Sequence, residues 1–468
     1  MQTVDNDFKA AAVEVNRQPT AGVAISWLRN YYGHDWFTIG VSLIGGTDVI
    51  KGENNVIAEG DNYEYINETP YLISLEYERK FTEPIYSVQR GMMDLILDNN
   101  SDRFTPEFDT KIGDSIKMRR PIRIYAGFKY NGIVNNIQQM IGTINDYPIV
   151  NKKNKQLTLH AIDFTEALWN IPVEETQLYT DKRSDELLQI ILEDAGLTTG
   201  QFSLDEGFIT IPFAFFGKGD KIGNIIKLIC EAEQGIFYVD ENGYFRFENR
   251  THWLNDPHTE SQLTITDDMI IKEEQPDLKA IVNVVEITAK PRAVVSTDES
   301  IFDLPDTREI AAGETIEVWA NYDDPVYSLV TPTRGVGASS YYTANTESGG
   351  GGTDKTAQVD LSITNFSTAS KLEFTNNDAG SVFLTELIIF GKPAKITQEL
   401  YLKMTDDDSI AEYDEHAISI TNDYIQSYAT MRSIAISILA NRKDPAKYKK
   451  MTIIGQPHLQ LGDLVTRF

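Results

Sequence analysis

The residues of this chain that could do chemistry are few and scattered. Six histidines, His34, His160, His252, His258, His416 and His458, lie far apart, with no HExxH motif and no pair spaced for one helix face. A zinc site needs several such ligands converging, so the spacing signals none. His252 and His258, with Trp253 and Asp256 between them, could gather round a cation, although a solvated loop accounts for the same residues. His160 alternates with Leu159 and Ala161 and reads as the outward face of a strand. Gly349-Gly350-Gly351-Gly352-Thr353 suggests a phosphate cradle, but a P-loop requires Lys and Ser/Thr after its last glycine, between a strand and a helix, and here a strand follows. A flexible loop tip is the better reading. Asp406-Asp407-Asp408 lacks the spaced carboxylates and the glycine of a calcium loop and reads as a solvated turn. No serine or cysteine sits in a nucleophile elbow, and sequence alone cannot locate the paired carboxylates of a glycosidase. The expectation is a chain with no catalytic residue, no metal and no cofactor.

Aromatic residues offer one other possibility. Trp319, Tyr322, Tyr341 and Tyr342 concentrate in a strand-rich stretch, where exposed rings could stack on sugars while nearby Asn and Asp bind hydroxyls. Packing explains some of them equally well, since Tyr322 alternates with Ile316, Val318 and Ala320 on an apolar face and Trp319 falls on the opposite one. Trp319, Tyr341 and Tyr342 are therefore the candidate glycan-binding residues.

These side chains need elements to hold them, and the chain is long enough for several. Its 468 residues suggest roughly three or four domains, and 41% hydrophobic with 24% charged residues is the balance of folded protein. Cys230 is the only cysteine, so packing and not a disulfide must hold the fold. Met1 to Ala10 carries Asp5 and Asp7 in place of a basic signal region, and no stretch approaches the ~20 apolar residues of a membrane span. The expected product is made and kept in a cytoplasm, with no membrane insertion. A formal charge of −28 repels polyanions, and the densest basic stretch, Lys117 to Arg123, alternates with apolar residues as a strand does. This excludes sequence-specific nucleic-acid binding by phosphate neutralisation, and it suits both solubility and a conduit to which DNA does not adhere.

Period-2 alternation fills the first third of the chain: Ile116, Met118, Ile122 and Ile124 share one face, and Met93, Leu95, Leu97 and Leu157, Leu159, Ala161 repeat the pattern. Residues 67–170 read as one barrel or sandwich after an N-terminal segment, 1–66. The period then changes. Ser184 is a plausible N-cap for a helix over 184–195 that ends at Gly196, and a second helix over 220–234 buries Ile222, Ile225, Ile226, Ile229 and Cys230 before Gly235. Asp240-Glu241-Asn242-Gly243 then predicts a hairpin. Residues 171–235 are a helical connecting region, 293–395 read as an inserted β-sandwich, and 236–292 with 396–468 as a second β-unit. That unit contains a helix over 422–441 with Ile425, Tyr428, Ala429, Ile436 and Leu439 on its apolar side. The chain stops in what reads as the start of a strand, whose partner would lie beyond Phe468.

Several phrases now fall in a meaningful order. Leu97-Asp98-Asn99-Asn100 with Arg103-Phe104-Thr105-Pro106, Arg120-Pro121-Ile122-Arg123-Ile124, Ile141-Gly142-Thr143-Ile144 and Thr158-Leu159-His160-Ala161-Ile162-Asp163 are followed by Glu231-Ala232-Glu233-Gln234-Gly235 and Leu461-Gly462-Asp463-Leu464-Val465. This succession, over some 350 residues, resembles the hub or tail-associated proteins of long-tailed bacteriophages, prophages and related tail-like particles. The resemblance implies an α+β, β-rich fold with two tube-like antiparallel β-barrels, short helices and an interrupting β-sandwich. It implies a virion tail-tip subunit, usually a homotrimer or else a hexamer. Its partners would be a distal tail or tail-tube protein, a tape-measure protein and tail fibre or spike proteins. The alternatives are an adhesin acting through the insert and a cell-wall hydrolase of unfamiliar type.

Overall fold

The structure, a computed structural model, describes residues 4, 8, 12, 18–27, 65–80, 88–105, 112, 115–174, 176–255, 258–274, 281–445 and 451–467. His34, Pro106 and Asp256 lie outside the described residues. The chain is rich in strand with few helices.

The alternating runs of the first third pair into one antiparallel sheet, in the order Ile66–Asn67, Gln18–Ile25, Pro121–Tyr130, Ile133–Ile144, Gln156–Asp163, Met92–Asp98, Leu72–Glu78. Register sets Met93, Leu95 and Leu97 opposite Ala161, Leu159 and Leu157, so one face is continuously apolar and buried. Gln18–Ile25, expected within an N-terminal segment, belongs to this sheet and pairs along its whole length with Pro121–Tyr130. No closed barrel is formed among the described residues: the hydrogen-bonded path runs from Ile66–Asn67 to Leu72–Glu78, two strands joined in sequence by residues 68–71.

Two corners of this sheet explain phrases of the sequence. Asn99 is buried because its side chain closes the turn after Met92–Asp98: Oδ1 accepts from Phe104 N (2.8 Å) and Nδ2 donates to Thr105 Oγ1 (2.9 Å). Arg103 then reaches the fully buried Glu68 with two N–H groups, at 2.8 and 3.0 Å, and Glu68 also accepts from Trp27 Nε1 (2.9 Å). At the other corner a Cβ on Gly142 would lie 2.1 Å from the Ile162 carbonyl oxygen, so only glycine permits that strand crossing.

Beside it Asp163, buried, accepts from Gly91 N (2.5 Å) and Thr165 N (2.9 Å). Burial raises its pKa to about 6, against the opposing pull of those donors. A carboxyl raised in the folded state binds its proton more tightly there than in the unfolded chain. Its contribution is therefore fully present below the ordinary carboxylate value and is lost as pH rises through about 6. Asp163→Asn should flatten the dependence of the unfolding free energy on pH, followed by urea titration between pH 4 and 7, by an amount on the order of 3 kcal/mol. An identical pH profile in the variant would show that burial does not govern this group.

The first helix proper spans Ser184–Asp194, and Gly196 takes the left-handed conformation that ends it (φ +85°). Ser184 is not the cap. Arg183 precedes the helix with its N–H bonded to Glu186, while the Ser184 hydroxyl donates inward to Glu233 (2.8 Å). In the second helix, Ile222–Glu233, all five expected side chains are buried. Its left-handed residue is Gln234 (φ +60°), and Gly235 is needed for another reason: a Cβ there would meet Phe247 at 2.7 Å and the Glu248 carbonyl at 2.8 Å. The hairpin follows with Ile236–Val239 on Phe245–Glu248, and its turn is closed by Asp240 Oδ1, which accepts from Asn242 N and Tyr244 N.

Beyond it, segments from either side of the sandwich pair with one another. Val284–Ala289 lies between Leu400–Thr405 and Ala417–Thr421, Ile270–Glu273 pairs with Met451–Ile453, and Leu263–Ile265 pairs in parallel with Val465–Arg467. The final strand thus has a partner within the chain. These are short strands divided among small sheets, so no second barrel closes among the described residues. The late helix is Tyr428–Arg442, starting six residues later than its pattern predicts. Asn422 and Gln426 hold the preceding turn through their side chains, to Leu228 O and Phe213 O, and Ser427 Oγ caps the helix by accepting from Thr430 N. Its buried face is Met431, Ile434, Ala435, Ile438 and Leu439, while Tyr428 and Ile436, expected on the apolar side, are exposed.

The sandwich itself is built on the long strand Val382–Ile396, which pairs with five others, and on a second sheet in the order Thr315–Asn321, Ala369–Asn376, Val359–Asn365. Its entry and exit lie side by side, with Arg292 opposite Ile396.

Candidate functional site: sheet edges and polar clefts

The three candidate glycan residues do not form one platform. Tyr342 is 2% exposed, packs edge-on against Phe374 and donates its hydroxyl to Val359 O (2.8 Å), so it belongs to the core. Trp319 is exposed, as its alternation predicts, but its ring stacks on Phe366 (5.8 Å, 17°) with the Lys218 ammonium 5.5 Å away. Tyr341 sits on the outer face of the other sheet, so the two sheets' shared core separates it from Trp319. Tyr322 is buried, with its hydroxyl donated to Ser370 Oγ (2.6 Å).

The histidines divide differently. His160 faces outward, 2.5 Å from Asp94 on the neighbouring strand. His252, Trp253 and His258 form a ring cluster with centroids 4.8–4.9 Å apart, a packed joint where the sequence suggested a solvated loop. The hydrogen bond from His252 Nδ1 to Asp205 (2.7 Å) holds the imidazole above its ordinary pKa, whereas burial and the neighbouring His252 lower His258. Among the described residues no three or more His, Cys, Asp or Glu side chains are placed to hold a metal ion. Asp406 is a helix cap, accepting from Ser409 N (3.0 Å), and Lys443 pairs with it.

The ring cluster borders a cleft of about 270 Å³ with Arg79, Tyr238, Asp240, Arg246, Glu248 and Asp463. These groups largely satisfy one another. Arg246 donates to Asp240 (2.9 Å), Tyr238 to Glu248 (2.6 Å), and Arg79 to both Val239 O (3.1 Å) and Gln460 (2.9 Å). Gly462, at φ +82°, lies so close to Trp253 that a Cβ would come within 2.1 Å. The cleft is thus a clamp joining the first sheet, the hairpin and the last residues. Nothing in the sequence could reveal it, because its partners lie as far as 381 residues apart.

The free surfaces of the first sheet are apolar in places. Its terminal strand Leu72–Glu78 has a bulge between Leu72 and Ser74 that leaves Ile73 without a residue opposite it on Met92–Asp98, and Ile73 is 52% exposed. Met92, Ile133, Val134, Tyr147 and Ile149 are also exposed on this unit. No described strand pairs with the outer side of Leu72–Glu78.

No known sequence family and no curated protein matches the chain. Solved structures overlap it in part. A tail protein from Neisseria meningitidis is 8% identical, with a TM-score of 0.35, over 57% of this chain and 64% of that one. The 43 kDa tail protein of prophage MuSo2 from Shewanella oneidensis is 9% identical, with a TM-score of 0.31, over 48% and 62%. The Francisella PdpA-VgrG complex contains a chain 13% identical, with a TM-score of 0.33, over 82% and 60%. This chain therefore spans somewhat less than two-thirds of each of these structures, and at such scores the likeness carries no part of the functional reading.

Proposed function

We propose that this chain is a structural subunit of a tail tip, which joins copies of itself edge to edge into a ring that continues or closes a tail tube. The observation that carries the reading is the first sheet, in which no described strand pairs with the outer side of Leu72–Glu78. An open edge exposes unpaired N–H and C=O groups, and pairing with the next subunit satisfies them without a closed barrel in each chain. The order of sequence phrases supports the same assignment, and a net charge of −28 suits a channel wall through which DNA passes without adhering. Three copies is the number that the resemblance favours. The neighbours would be a tube or distal tail protein, a tape-measure protein and a fibre or spike. Residues 293–395 are read as a module carried by this scaffold, and the role as structural rather than catalytic.

Acidic subunits repel one another, and salt screens that repulsion. Light scattering should therefore give a mass near three times 52.7 kDa, with the assembled fraction rising as salt is added. Images of the assembly should show a threefold ring around a channel. A monomer at every salt concentration would remove the proposal.

A further inference from the structure

The sandwich carries a second polar cleft, of about 400 Å³, lined by residues other than those of the clamp described above. The volume lies within the ~300–1,000 Å³ of small-molecule sites, but the lining is polar where such sites are mostly apolar. Its floor is the outer face of Tyr341–Asn345 paired with Val382–Ile396. A bulge in that pairing makes Thr385 and Glu386, consecutive residues, both turn outward, while Leu384 and Leu387 on either side are fully buried. Thr343 sits opposite Glu386, and its hydroxyl lies 2.8 Å from that of Thr385. One wall is the Asn345–Asp354 loop, fixed by Asn345 Nδ2, which donates to Gly350 O (3.2 Å) and Gly352 O (3.3 Å). Gly335 and Val336 form the other.

The lining chemistry selects a ligand class. The Thr343 and Thr385 hydroxyls bond each other and Asp354 Oδ1 accepts from Thr356 N (2.9 Å), so the remaining carboxylate lone pairs of Glu386 and Asp354, with the Ser348 hydroxyl, are what a ligand would meet, and no lysine or arginine lines the cleft. Anions are therefore disfavoured. A metal is not the natural occupant either, since the described carboxylates here do not converge as a ligand set. Tyr341, two residues before Thr343 on the same face, hydrogen-bonds through its hydroxyl to Glu386, which sets its ring beside a carboxylate that lines the cleft. An aromatic face beside carboxylate acceptors and hydroxyls matches a sugar, which offers a C–H face and donor hydroxyls.

We propose that this cleft binds a neutral saccharide, with Glu386 accepting from its hydroxyls and Tyr341 packing on its ring. The site does not depend on ring assembly, so its failure and that of the structural role are separable. The test is the full chain on an array of neutral and anionic oligosaccharides, followed by calorimetry with the strongest neutral binder. At least one neutral oligosaccharide should bind and the anionic ones should not. Glu386→Gln and Tyr341→Ala should each weaken binding roughly tenfold, while Trp319→Ala leaves it unchanged. Tyr341→Phe, which keeps the ring, should retain most of the affinity and guards against a folding defect. The proposal is overturned if no neutral oligosaccharide binds, if an anionic one binds more tightly, or if Glu386→Gln and the wild type bind alike.

Discussion

Glu233→Ala should cost about 3–5 kcal/mol of stability, the largest loss expected from any single polar side chain in the central unit. Glu233 is fully buried at the end of the Ile222–Glu233 helix, where its carboxylate accepts from Ser184 Oγ (2.8 Å), Ile209 N (3.0 Å) and Phe208 N (3.1 Å). Arg250, itself mostly buried, places its guanidinium 3.7 Å away and over the Phe208 ring. One carboxylate thus fastens the start of one helix, the end of another and the loop between. Alanine would strand two backbone N–H groups, a hydroxyl and a guanidinium together, and each orphaned buried group carries its own desolvation penalty. Glu233→Gln keeps the volume and one acceptor but turns an NH2 toward donors, so it should lose roughly half as much. Urea unfolding followed by circular dichroism measures both. A loss below about 1 kcal/mol for the alanine variant would mean that the loop relaxes and finds other partners.

This network also marks the limit of what the sequence made legible. Local patterns are readable: the alternation of Leu157, Leu159 and Ala161 fixes a buried face, and Gly196 and Gly243, both at positive φ, end a helix and turn a hairpin. What local pattern cannot express is contact across the chain. Ser184 looks like a cap by position, yet its hydroxyl is taken by a carboxylate 49 residues away, and the capping passes to Arg183 and Glu186. Gly235 looks like a helix stop, yet close packing against Phe247 is what requires it. Tyr342 looks like its neighbour Tyr341, and only the register of the sandwich sends one ring inward and the other out. The polar cleft of the sandwich is invisible in the sequence for the same reason, since a bulge that re-aims Thr385 and Glu386 leaves no periodic trace. The phrases that supported the family resemblance fare better in physical terms. Asn99, Gly142 and Gly462 each occupy a corner where a specific side chain, or none, is sterically required.

Edge pairing should be abolished by Ile73→Pro with little harm to the folded subunit. Ile73 is the bulge residue of the terminal strand, with no residue opposite it on the adjacent strand and its side chain half in solvent. Proline is best tolerated at bulges and sheet edges, the places in a sheet where a ladder N–H is least needed. On the outer side, however, it takes away a donor and puts a ring where an incoming strand must approach within the ~4.7–4.9 Å spacing of paired strands. The expected result is loss of the ring by light scattering and by imaging, with the thermal midpoint of the subunit nearly unchanged. Ile73→Asp provides a second route: it adds charge to an acidic chain and should weaken assembly most at low salt, with partial recovery as salt is added. Together the two separate backbone pairing from charge. Rings that persist in Ile73→Pro would place the contact elsewhere on the molecule, and loss of assembly through unfolding of both variants, read from the same melts, would show the strand to be structural to the subunit and not its joint.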